Sequence, residues 1–285
     1  MKIHLRYLLF LSISLFFACG TETKDSTPTP NPTPPAPIVV KEYKFDTTPI
    51  WADEFDNGTT PDPSKWSYDI GGGGWGNNEL QYYTNNASNA SIKNGILTIK
   101  AIKEGMMGSA YSSARIVTKG KGDWLYGRFE ARAKVPAGKG TWPAFWMLPT
   151  ENKYGIWPNS GEIDILEHVG YAPNEINCTV HTSAYNHTKG TQVGVKKTIP
   201  TAITEFHTYR VDWTPITITG YIDDVPYFEF RNSNSGIAAW PFDSKFHIIL
   251  NQAVGGNWGG VQGVDNSAYP ASFEIDYVRV YKLLE

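Results

Sequence analysis

The chain has 285 residues, 41% of them hydrophobic and 19% charged, which is enough for one large domain with a substantial core. Lys plus Arg is 25 against 28 for Asp plus Glu. The resulting net charge of −3 supplies no global attraction for nucleic acid or for an anionic membrane surface. With 27 Gly, 10 Trp, 16 Tyr and 13 Phe, the composition favours strands, tight turns and aromatic binding surfaces, and it excludes a disordered chain.

The N-terminus reads as an export signal. Lys2 and Arg6 precede an apolar run from Leu8 to Ala18, too short to span a bilayer but suited to a signal-peptide core. Leu15-Phe16-Phe17-Ala18-Cys19 resembles a bacterial lipobox, so residues 1–18 are expected to be removed and Cys19 lipidated, although Phe16 and Phe17 are large for that box. Ordinary secretion is the competing reading. From Ser26 to Pro37 the sequence alternates Thr, Pro and Asn and holds six of the nineteen prolines. Proline removes donors and fixes φ, so residues 19–38 are expected to be an extended tether. The folded domain is expected over 39–285. Glu22 and Asp25 beside Cys19 resemble surface-export signals, which points to an outer-membrane lipoprotein exposed on the cell. With Cys19 lipidated, Cys178 has no disulfide partner and reads as a small buried hydrophobe.

Beyond the tether, helix signals are weak and short strand signals recur. They fall at Ile96–Ile99, Gly127–Val135, Phe145–Leu148, Glu162–Leu166, Tyr209–Trp213, Ile216–Ile222, Phe246–Asn251 and Phe273–Tyr281. From Phe129 to Val135 odd positions are apolar and even ones charged, the period of an antiparallel strand with one wet face. Asp223-Asp224 reads as a hairpin turn. Many strands at this spacing predict an all-β, two-sheet antiparallel sandwich in one domain.

The segment Glu162-Ile163-Asp164-Ile165-Leu166-Glu167 carries the chemistry. On a regular strand Glu162 and Asp164 share a face and Glu167 falls on the other. A one-residue bulge at Ile165-Leu166 would bring all three to one face. Like charges so placed force some pKa upward, which is costly for structure alone and useful for acid/base work. A retaining glycosidase needs two carboxyl groups about 5 to 5.5 Å apart. A solvated acidic edge and a hard-cation site remain open alternatives.

Glu162-Ile163-Asp164-Ile165-Leu166-Glu167 resembles the signature of glycoside hydrolase family 16 in its bulged, laminarinase-like form. Trp51–Phe55, Gly74–Tyr83, Tyr111–Arg115, Gly140–Leu148, His181-Thr182, Asn251–Trp258 and Asp276–Tyr281 resemble that family in the same order. The resemblance implies a β-jelly-roll with a concave substrate cleft, and an endo-acting, retaining β-glucanase cutting β-1,3-glucan (laminarin), mixed-linkage β-1,3/1,4-glucan, or both. Agarase- or carrageenase-like specificity, or glycan binding without turnover, are the alternatives. It also implies Glu162 as nucleophile, Glu167 as acid/base and Asp164 as the tuning residue. Trp142, Trp146 and Trp258 match cleft positions, where indole faces suit the flat C–H faces of a sugar, with core packing as the competing reading. Trp75, Asn77, Glu79, Arg115 and His181 are further candidate sugar contacts, against turn-forming or structural roles. A structural Ca²⁺ on Glu54, the Gly95 carbonyl and Asp276 is implied as well, with no catalytic cofactor. The expected partners are the polysaccharide and, through the lipid, a membrane. The protein is expected to be a monomer.

Overall fold

The computed structural model describes residues 42–284, so the signal, Cys19, the tether and the expected domain start at 39 lie outside the described residues. The chain enters on β1 (Lys44–Asp53), then β2 (Ser67–Tyr68), β3 (Gln81–Tyr83), β4 (Ala90–Lys93) and β5 (Ile96–Ala101). Short β6 (Tyr111–Ser113), β7 (Arg115–Val117) and β8 (Asp123–Trp124) precede β9 (Gly127–Lys134), β10 (Thr141–Pro149), β11 (Glu162–Glu167), β12 (Glu175–His181) and β13 (Val193–Thr198). The chain closes with β14 (His207–Trp213), β15 (Thr217–Ile222), β16 (Val225–Arg231), β17 (Phe246–Val254) and β18 (Ala271–Leu284). The only α-helix among the described residues is the single turn Gly256–Gly259.

Two eight-stranded antiparallel sheets form the sandwich. One has the order β16-β15-β14-β9-β18-β5-β4, with β1 also on β18. The other has the order β13-β12-β11-β10-β17-β7-β2, with β8 also on β17. Period-two patterning explains their faces. In β9, Gly127, Phe129, Ala131 and Ala133 are buried while the intervening charged residues are half-exposed. The period of β18 breaks because its register with β9 shifts between Ile275 and Tyr277. A bulge there lets Phe273, Ile275, Val278 and Val280 all reach the core. The Asp223-Asp224 turn joins β15 to β16 with φ of 48° and 63°, the geometry of a two-residue primed hairpin turn.

The core lies between the sheets, built around Phe129, Trp213, Phe246, Phe145, Met147, Ile163, Ile165 and Leu166. All nine residues of β17 are buried. Phe246, Ile248 and Leu250 belong to the core, and His247, Ile249 and Asn251 alternate with them toward the opposite face. Pro143 sits inside β10, opposite Gln252, without breaking the strand. Trp142, Ala144 and Trp146 therefore share the face that Asn251 and Arg115 occupy on the neighbouring strands.

Candidate active site

The site begins with one irregularity in β11. Against β10, Phe145 pairs with Leu166 and Trp146 with Asp164, so Ile165 is skipped. Against β12, Asp164 pairs with Thr179 and Glu167 with Asn177, so Ile165 and Leu166 together oppose Cys178. Ile163, Ile165 and Leu166 are all buried in the core. Glu162, Asp164 and Glu167 consequently lie on the other face, the one that also carries Trp142 and Trp146.

Two indoles hold the outer carboxylates. Trp157 Nε1 donates to Glu162 Oε2 at 3.0 Å, and Trp142 Nε1 donates to Glu167 Oε1 at 3.1 Å. His181, opposite Glu162 on β12, places Nε2 3.6 Å from Glu162 Oε1 and 3.4 Å from Asp164 Oδ2. One donor atom each from Glu162, Asp164 and His181 lie within 4.8 Å of one another, a set that could chelate a metal ion.

Burial dominates the electrostatics. It pushes Asp164 up to about 8, opposed by its hydrogen bond with Glu162. Burial and the neighbouring Asp164 charge push Glu167 up to about 8, with His181 and the Trp142 hydrogen bond acting against them. Glu162 is raised by burial first and by Asp164 second. The three carboxyl groups are coupled, and each is pushed above the ordinary carboxylate range.

An aromatic frame surrounds the acids. Trp258, on the Gly256–Gly259 turn, meets Trp142 edge-on at 5.4 Å. Trp146 Nε1 donates to Asn251 Oδ1 at 2.7 Å, and Asn251 Nδ2 donates to Tyr83 OH at 3.0 Å. Tyr83 OH donates in turn to Glu79 Oε2 at 3.3 Å. Glu79 also accepts from Gln81 at 2.6 Å and from Asn77 at 3.4 Å, and burial raises its pKa. Its carboxylate is therefore largely committed within the protein. Trp75 sits on the glycine-rich loop before β3 with φ of 48° and packs against Tyr83. Arg115 lies over both Trp75 and Trp146, and a cavity of about 290 Å³ is lined by Arg115, Asp69, Trp157 and Gly161 among others. His168, directly after Glu167, is fully buried with Nδ1 3.0 Å from the Glu175 carbonyl oxygen.

Sequence reasoning missed Trp157 and His187. The Trp157 ring packs 6.0 Å from His181 and 5.0 Å from His187, closing the Glu162 side of the cluster. Its one sequence signal was an indole five residues ahead of a candidate nucleophile.

Two of the three residues named for calcium stand in ion pairs. Glu54 accepts two hydrogen bonds from Arg279, both at 2.8 Å, and Asp276 accepts one from Arg132 at 2.5 Å. Each carboxylate thus has a guanidinium partner. Gly95, with φ of 75°, completes the Asn94-Gly95 turn between β4 and β5.

Carboxylates on one sheet face, framed by indoles, define a glycoside hydrolase site. Residues 77–279 match the family described as "Glycosyl hydrolases family 16", and the chain belongs to it. The "Beta-glucanase" of Rhodothermus marinus is 53% identical over 244 residues, covering 83% of this chain and 85% of that protein. A "Glucan endo-1,3-beta-glucosidase" of Cryptopygus antarcticus is 41% identical, covering 80% of this chain and 90% of its own length. The crystal structure of the laminarinase from Rhodothermus marinus superposes with a TM-score of 0.83 at 51% identity, covering 86% of this chain and 100% of that one.

The raised Asp164 carboxyl has a consequence for stability. Between its ordinary value of 3.8 and the folded value of about 8, the unfolded chain releases a proton that the folded chain keeps. Stability therefore falls as pH rises through that window. Asp164→Asn removes the cost, so its gain in Tm should be near zero close to pH 4 and should grow toward pH 8. Thermal unfolding across pH measures this, and a gain largest at the acid end would contradict the assignment.

Proposed function

We propose that the protein is an endo-acting, retaining β-glucanase that cleaves internal linkages of β-1,3-glucan, mixed-linkage β-1,3/1,4-glucan, or both. Family membership and the endo-glucanase names of its relatives support the activity. The observation that carries the mechanism is the pair of glutamates on one face of β11, each held by a different indole. Glu162 attacks the anomeric carbon while Glu167, protonated at neutral pH, gives its proton to the leaving glycosidic oxygen. The glycosyl–Glu162 ester forms as the glycosidic bond breaks. Glu167, now anionic, then takes a proton from water, whose oxygen displaces Glu162 and restores the β configuration. Asp164 lies between the two glutamates and shares the proton balance with Glu162, whose carboxyl its charge pushes up.

Trp142, Trp146, Trp258 and Trp75 act as apolar platforms for successive sugars, with Asn77, Arg115 and His181 donating to hydroxyls. Glu79 contributes chiefly by organising Asn77 and Tyr83. A structural calcium ion on Glu54, the Gly95 carbonyl and Asp276 would share the two carboxylates with Arg279 and Arg132 and would stabilise the fold rather than catalyse.

Cys19, the Pro/Thr-rich segment after it and the acidic residues Glu22 and Asp25 support an exported lipoprotein, tethered at the outer membrane with its catalytic domain exposed as a monomer. Cys19→Ala should move the protein from the membrane fraction to the soluble fraction without loss of specific activity. Unchanged membrane partition would remove the lipid assignment.

The catalytic roles separate by chemical rescue. On an activated aryl β-glucoside, Glu167→Ala should form the glycosyl enzyme and stall until azide releases a β-glycosyl azide. Glu162→Ala should instead give the α-glycosyl azide, because azide enters from the vacated face. The same anomer from both variants would refute the roles.

A further inference from the structure

Trp75 and Trp146 come from segments far apart in sequence, a glycine-rich loop and the middle of β10. Each has already used its single indole N–H. Trp75 Nε1 donates to the Gly71 carbonyl at 3.1 Å, and Trp146 Nε1 donates to Asn251 Oδ1 at 2.7 Å. Their faces are therefore what they can offer a glucan. The Arg115 guanidinium bridges them, with its central carbon 4.9 Å from each ring centroid. It is the only cation stacked on two indoles among the described residues.

Arg115 does not hold this position alone. Its Nε donates to Asp69 Oδ2 at 2.9 Å. The backbones are joined too, with Asp69 N–H donating to the Arg115 carbonyl at 3.0 Å. The Arg115 side chain is only 13% exposed, whereas Asp69 stands at 37%. A guanidinium so far withdrawn from water leans on its counter-ion, and its stacking on two rings depends on that direction being kept. The two indoles differ in support. Trp146 is locked in β10, between β11 and β17, whereas Trp75 rides on a loop and depends more on its contacts with Arg115 and Tyr83.

We propose that Asp69 is a positioning residue for glucan binding. It fixes Arg115 between Trp75 and Trp146 and so sets the spacing and tilt of two sugar-stacking faces, without touching the reacting atoms. This rests on the reading of those indoles as glucan platforms.

The test is a double-mutant cycle on laminarin with Asp69→Asn, Arg115→Met and the pair, alongside near-UV circular dichroism of the glucan-free proteins. Asp69→Asn should raise KM roughly three- to tenfold and leave kcat within about twofold. In the Arg115→Met background the same change should add nothing, because Asp69 works through Arg115. The near-UV tryptophan bands of Asp69→Asn should shift toward those of Arg115→Met with no substrate present. Asp69→Glu keeps the charge and should recover most of the affinity, and it carries the test if Asp69→Asn does not fold. Effects on KM that multiply in the double variant, a loss confined to kcat, unaltered tryptophan bands in folded Asp69→Asn, or a KM loss in Asp69→Glu as large as that of Arg115→Met would overturn the proposal. A Trp75→Ala variant with unaltered KM would instead overturn the platform reading, and the tryptophan bands would still report on Asp69.

Discussion

Ile165 and Leu166 both turn into the core, and the rest of the site depends on that single bulge. A strand that alternates without fault would place Glu167 among core side chains, where an ionisable group is costly to bury. By spending two consecutive positions on the core, β11 returns Glu167 to the face of Glu162 and Asp164. Register shifts on both flanking pairings show that the neighbours accommodate the extra residue. The core drives the irregularity, since Ile163, Ile165 and Leu166 are each essentially inaccessible to water.

Placing three acids together inside a sheet face disfavours their ionisation, and the surroundings distribute that cost. Indole N–H groups from Trp157 and Trp142 each serve one outer carboxylate, and His181 faces Glu162 and Asp164. These donors reduce the upward shifts without cancelling them. The outcome is a cluster in which all three carboxyls stand above their ordinary range, Asp164 and Glu167 at about 8. Of the two, Trp142 is also a proposed platform for a sugar, so one indole would serve both binding and the protonation of Glu167. Trp142 touches both Glu167 and Trp258.

Much of this was readable from the chain because it is local. The bulge follows from the parity of six consecutive residues, the Asp223-Asp224 turn from its flanking apolar runs, and the sandwich from recurrent short strands. Features built by side chains from distant segments left no such trace. Asp69 meets Arg115 across 46 positions and Glu54 meets Arg279 across 225. The latter pair is why a calcium ligand inferred from resemblance stands in an ion pair. The internal donors to Glu79 were equally hidden, since they include Tyr83 and Gln81, placed by the parallel pairing of β3 with β6. Trp157 escaped notice because it lies on a loop with no periodicity to read.

The central claim is that the bulged strand presents Glu162 as the nucleophile. Trapping the covalent intermediate with a slow fluorosugar β-glucoside, followed by peptide mapping in the mass spectrometer, tests it directly. The account predicts one glycosyl adduct, carried on the peptide containing Glu162 and localised to that side chain. An adduct on Asp164 or Glu167, or full turnover with no adduct while a change of anomeric configuration is seen in the first product, would contradict it.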